Sequence, residues 1–148
     1  MTKMFYNAKL DADSYMDLIN KLGKQMFEAG YVKKTYIDAV LEREKAMPTG
    51  LRTGHINVAI PHTDVTHVNE SAVVVATLEH PVNFNLMDNP DQQAEVDIVF
   101  LLAVNDPSEQ PVLLSRLMSL IKEKEILNKI KKANDNQALE EILSLKME

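Results

Sequence analysis

The chain has 148 residues, 45% of them hydrophobic, and 22 acidic against 16 basic side chains, for a net charge of -6. That length suits one domain able to bury a real core, expected to span residues 1–148, and the negative balance argues against nucleic-acid binding through phosphates. The lack of cysteine excludes a disulfide framework, a thiolate zinc site and a thiol nucleophile, which leaves His, Ser, Thr, Lys or a carboxylate for covalent chemistry.

The amino terminus, Met1-Thr-Lys-Met-Phe-Tyr6, has no apolar leader core. The longest apolar runs, 72–78 and 98–104, are too short to cross a bilayer, so the expectation is a cytoplasmic protein without direct membrane insertion. After this opening segment, Asp13 or Ser14 caps a helix in which Tyr15, Leu18, Ile19, Leu22 and Met26 recur at helical spacing, with Gly30 placed to end it. Thr35 with Asp38 resembles a capping box for a second helix, whose stripe of Ile37, Val40 and Leu41 runs until Pro48. Arg43 and Glu44 fall in its last turns, where the macrodipole alone favours a cation. Thr49-Gly50 and Thr53-Gly54 read as turns leading to a short buried strand, Val58-Ala-Ile60, which Pro61 stops by removing a backbone donor.

The β-branched run 72–78 predicts a central strand covered on both faces. His80-Pro81 is expected to break it, leaving Val82 and Phe84 as a short peripheral strand before a polar loop around Asp88-Asn-Pro-Asp91. A third strong strand covers 96–104, and Asn105-Asp-Pro107 bounds it. Ser108 is the expected cap of a helix with Leu113, Leu117 and Leu120 or Ile121 inward, and two shorter helices follow around Ile126–Ile130 and Ala138–Leu143. Strands buried on both faces need helices on both sides. The predicted fold is therefore α/β, a three-layer domain with a mixed central sheet, against the alternative of a two-layer α+β fold.

Four histidines are present: His55, His62, His67 and His80. The proline ring holds His62 in a stiff turn just past a strand end, where sites collect in open α/β sheets. Three readings stand for it. A zinc site from His62, Asp64 and His67 has suitable ligand types, but the histidines are five apart with no cysteine in support. A structural histidine capping the turn is the plain reading. The third is a nucleophile that takes up a phosphoryl group, since neutral imidazole attacks near pH 7 and forms a labile N–P bond. Phosphoryl transfer then needs an in-line nucleophile and groups to hold the equatorial oxygens. Arg43 suits that task because a guanidinium grips two oxygens at once; Arg52 is a weaker candidate, and the backbone N–H groups of Thr63 and Asp64 could serve. His67 reads as a surface histidine on a polar loop, with holding the His62 turn as the alternative, and His55 and His80 as turn residues flanking strands.

Ala59-Ile-Pro-His62, preceded by Leu41-Glu-Arg-Glu44 and Pro48-Thr-Gly50, resembles the enzyme IIA domain of the fructose–mannitol group of the bacterial phosphoenolpyruvate-dependent sugar phosphotransferase system. The resemblance spans essentially the whole chain. It implies that His62 accepts a phosphoryl group from the histidine-containing phosphocarrier protein and hands it to a sugar-specific IIB component, with Arg43 steadying the phosphate and no cofactor or metal required. The family's usual small residue after the active histidine is Thr63 here. Its second histidine, at the start of the helix after the third main strand, aligns with Gln110, which hydrogen-bonds but cannot titrate. Gln110 and His67, as possible accessory residues, make the chain more like galactitol-type IIA proteins. The resemblance also allows a regulatory module in which phosphorylation of His62 controls a partner, and the sequence shows no helix-turn-helix segment.

Overall fold

In the computed structural model, which describes residues 2–147, the opening residues form the first strand, β1 (Lys3–Leu10). It is followed by α1 (Tyr15–Glu28), α2 (Tyr36–Ala46), β2 (Gly50–Leu51), β3 (Val58–Ala59), β4 (Ala72–Asn85), β5 (Gln93–Ala103), α3 (Gln110–Leu120), α4 (Lys124–Lys132) and α5 (Asn136–Met147). The strands form one mixed sheet in the order β1-β4-β5-β3-β2. β1 runs parallel to β4 and β3 parallel to β5, whereas β4 with β5 and β2 with β3 are antiparallel. β1 escapes the sequence reading, which has only an opening segment there, although Met4, Tyr6 and Ala8 alternate onto one face and pack on the core of the last three helices, with Phe5 on the other face.

Alternation along the central strands builds the three expected layers. Val74, Ala76, Val99 and Leu101 face a core shared with Leu18, Ile19, Leu22 and Met26 of α1 and Val40 of α2. Val73, Val75, Ile98, Phe100 and Leu102 face the opposite core, formed with Leu117, Leu127, Ile130, Leu139 and Leu143 of the last three helices. Both faces of β4 and β5 are thereby covered, which is why these strands read as unbroken apolar runs.

Local chemistry departs from expectation at several points. Ser14 does cap α1, accepting from the Asp17 amide, and Gly30 takes a left-handed φ of +87° just beyond the helix end. Thr35 makes no cap bond, because its hydroxyl is engaged by His67 Nδ1 at 2.8 Å. Ser108 is not the cap of α3; both its amide and its hydroxyl donate to Asp106 Oδ1, a local turn that competes with capping. Nor does His80-Pro81 end its strand. Thr77 pairs with Ile98 and the next pair is Val82 with Val96, so the residues between bulge out and β4 resumes. Val82 and Phe84 are consequently buried against the α1 face, with Tyr15 packed on Phe84, and not peripheral. His80 sits exposed in that bulge.

Candidate functional site

Pro61 closes β3 less abruptly than its missing donor suggests. Its carbonyl still accepts from Leu102 N at 3.0 Å, so pairing with β5 runs on to the residue before His62. The Leu102 carbonyl in turn accepts the buried Tyr36 hydroxyl at 2.5 Å, which pins the start of α2 to the same strand. His62 therefore leaves a backbone still tied to β5 at the preceding residue.

His62 is 8% exposed, and its ring Nδ1 lies 2.8 Å from the Ile60 carbonyl oxygen. A carbonyl only accepts, so Nδ1 carries the proton and Nε2 keeps its lone pair. No described residue bonds Nε2. Among the described residues Arg43 Nε is the one buried side-chain N or O atom without a partner, so the unbonded Nε2 reaches the surface. Burial lowers the His62 pKa; the Ile60 bond works against that, and the nearby Arg43 charge lowers it further. The ring is accordingly a neutral imidazole at neutral pH, with its nucleophilic nitrogen outward.

Arg43 comes from the last turns of α2, and its charge acts on His62, Glu44 and Asp64 alike. Its Nε–H, buried without an acceptor, carries a desolvation cost of about 1–3 kcal/mol. Thr63 is 7% exposed and makes no hydrogen bond to any described residue, so its amide and its hydroxyl are uncommitted. The Asp64 carboxylate accepts from Thr66 N and Oγ1, contacts that hold it below the ordinary carboxylate range. The His62 lone pair, the buried Arg43 Nε–H and the Thr63 hydroxyl and amide are thus the groups that no described residue engages here.

The remaining sequence candidates divide. His67 is no free surface residue: it sits in a 3-10 turn (Val65–His67), with Nδ1 on Thr35 and Nε2 3.9 Å from Asp64 Oδ1. Together with Lys33 N to His67 O and Lys33 Nζ to Thr66 O, it straps the loop after His62 to the segment before α2. His62, Asp64 and His67 do not converge on a metal; no group of three His, Cys, Asp or Glu side chains among the described residues is so placed. The Gln110 side chain, at the start of α3, makes no hydrogen bond to His62. Arg52 is exposed and donates to Gln93 O at 3.2 Å, at the start of β5, away from the strand end that carries His62. His55 bonds Asn128 at 2.7 Å beside α4. A surface cavity of about 890 Å³ beside β1 and α3 is lined by Tyr31, Asn105 and Arg116 among others, and by neither His62 nor Arg43.

A family model described as phosphoenolpyruvate-dependent sugar phosphotransferase system, EIIA 2, matches residues 1–146. The chain belongs to this family. As an EIIA chain it is a phosphotransferase component with a phosphotransfer role in sugar uptake. The galactitol-specific EIIA component of Escherichia coli K12 is 28% identical over 127 residues, covering 86% of this chain and 84% of that protein. The transcriptional regulator ManR of Bacillus subtilis is 32% identical over 124 residues, which make up 82% of this chain but 18% of ManR. In a solved complex of enzyme IIAMTL with phosphorylated enzyme IIBMTL from Escherichia coli, one chain superposes with a TM-score of 0.69 at 22% identity, covering 96% of this chain and 94% of that one. No helix among the described residues of this EIIA chain is long and apolar enough to cross a membrane.

One participant escaped the sequence reading. Glu44 lies beside Arg43 and is 5% exposed, with its carboxylate accepting from Thr49 N at 2.8 Å and Thr49 Oγ1 at 2.7 Å. The only sequence signal was its place in the Leu41-Glu-Arg-Glu44 and Pro48-Thr-Gly50 stretches; nothing there separates a buried glutamate from a solvated one.

Proposed function

We propose that this chain, acting as one IIA domain, is a cytoplasmic phosphocarrier that accepts a phosphoryl group on His62 Nε2 from the histidine-containing phosphocarrier protein and passes it to a IIB component. Nε2 attacks phosphorus as the donor's N–P bond breaks and its electron pair returns to the donor ring. The Nδ1–H on the Ile60 carbonyl then shares the positive charge that develops on the His62 ring. Arg43 takes equatorial oxygens, and the buried Nε–H gains the acceptor it lacks. Thr63 offers its amide and hydroxyl and Asp64 its amide, while His67 holds the loop that carries them. Gln110 is given no proton to move. The single observation that carries this reading is the tautomer: with Nδ1 bonded to a carbonyl, only Nε2 can act, and it faces out beside a guanidinium. The similarity to a galactitol-specific component supports galactitol or a related polyol as the sugar.

The test is incubation with phosphoenolpyruvate, the general phosphotransferase enzyme and the phosphocarrier, followed by intact-mass measurement. A gain of one phosphoryl group that is acid-labile, base-stable and absent in His62→Ala is expected; a gain retained in that variant would refute the assignment. The partial coverage of ManR supports a second reading, in which the same phosphorylation controls a regulatory partner. Phosphorylation-dependent capture of a transcription regulator, without transfer to any IIB, would select it.

A further inference from the structure

We infer that Glu44 is a positioning residue, clamping Thr49 so that Arg43 and His62 are held at a set separation across the site. The inference rests on the phosphocarrier reading above. The geometry is a continuous chain of fixed contacts. Arg43 and Glu44 are consecutive in the last turns of α2, and the Glu44 carboxylate reaches over the end of that helix to bind both the amide and the hydroxyl of Thr49. Immediately beyond Thr49, Gly50 pairs with Ala59 and Leu51 with Val58. Extending that register by one step sets Thr49 opposite Ile60, the residue whose carbonyl orients the His62 ring.

A second feature shows how tightly this link is built. A Cβ on Gly50 would lie 2.6 Å from the Asn85 carbonyl oxygen, and Gly50 O accepts from Met87 N at 2.9 Å. β2, only two residues long, is thus locked between β3 and the end of β4, and Glu44 is what ties the end of α2 to it. Without that tie, Arg43 depends on the helix end alone, where Met47 N to Arg43 O is the cap bond.

Burial places a real cost on keeping a carboxyl here, lifting it from the usual 4.5 to about 7 despite the Thr49 bonds and the Arg43 charge, which act the other way. Among the described residues Arg43 is the charged group acting on Glu44, and from the β2 side its bonds are to the neutral groups of Thr49. A solvated glutamate at that position would avoid the cost, so the clamp is a costly arrangement set directly beside the site.

The experiment measures the rate of phosphoryl transfer from the phosphorylated carrier protein, with thermal unfolding recorded for every variant. Glu44→Ala is expected to slow transfer by about tenfold to a hundredfold, the loss that a misplacement near 1 Å produces. Glu44→Gln, which still accepts from the Thr49 amide, should restore most of the rate. In an Arg43→Ala background, Glu44→Ala should add almost nothing, because the group it positions is gone. If Glu44→Ala is unfolded at the assay temperature, Thr49→Val removes one arm of the clamp and should slow transfer severalfold. Unchanged transfer in a folded Glu44→Ala or Thr49→Val protein overturns the inference, as does full additivity with Arg43→Ala. Parent protein that takes no phosphoryl group at all would instead overturn the phosphocarrier reading.

Discussion

Replacing Glu44 by glutamine should make the protein more stable at alkaline pH and leave it nearly unchanged in acid. Moving a carboxyl from 4.5 to about 7 on folding separates its neutral and charged forms by about 3 kcal/mol. Because the folded state binds this proton more tightly than the unfolded chain, the stabilisation is complete below 4.5 and is lost as pH rises towards 7. Above that, the parent folds with a buried carboxylate. Glutamine is neutral at every pH, keeps an acceptor for the Thr49 amide and places an amide N–H beside Thr49 Oγ1. The gap between Glu44→Gln and the parent should therefore be close to zero at pH 4 and open to as much as about 3 kcal/mol at pH 8, in favour of the variant. Urea unfolding of both proteins at pH 4, 6 and 8 reads the difference directly. Parallel stability profiles, or a gap that widens towards acid, would show that folding does not raise the affinity of Glu44 for its proton and would refute the burial cost assigned to it.

His62→Ala should abolish acid-labile phosphorylation while leaving the far-ultraviolet spectrum intact, since the ring contributes one hydrogen bond and lies outside both core clusters. Arg43→Lys should slow transfer at least about tenfold without lowering the melting temperature, because the charge persists but the two-pronged grip does not; equal rates would take Arg43 out of the site. His67→Ala should slow transfer only severalfold and cost about 1 kcal/mol in urea unfolding through the lost Thr35 contact, and complete loss of phosphorylation would make it a participant in the chemistry. Gly50→Ala is expected to destabilise by about 1–3 kcal/mol, since its methyl group would press on the Asn85 carbonyl; unchanged stability would show that β2 gives way freely.

The layers were legible because they depend on period. Short β-branched or apolar runs such as 72–76 and 98–102, bounded by turn residues, read as strands covered on both faces, and the stripe of Leu18, Leu22 and Met26 as a helix laid on a core. Chemical identity was legible too where covalent geometry carries it, as in a proline ring that stiffens the turn before a histidine, and in the short motif around it. What needed the folded chain was every pairing between distant residues. The same hydroxyl that could cap α2 is taken by His67, 32 residues on, and the same glutamate that could face water is buried against Thr49. β1 is a strand because it lies beside β4, and β4 survives His80-Pro81 because β5 continues opposite it. Which nitrogen of His62 keeps its lone pair is of that kind as well. Sequence supplies the imidazole, but only the position of one carbonyl oxygen relative to its ring decides which nitrogen holds the proton.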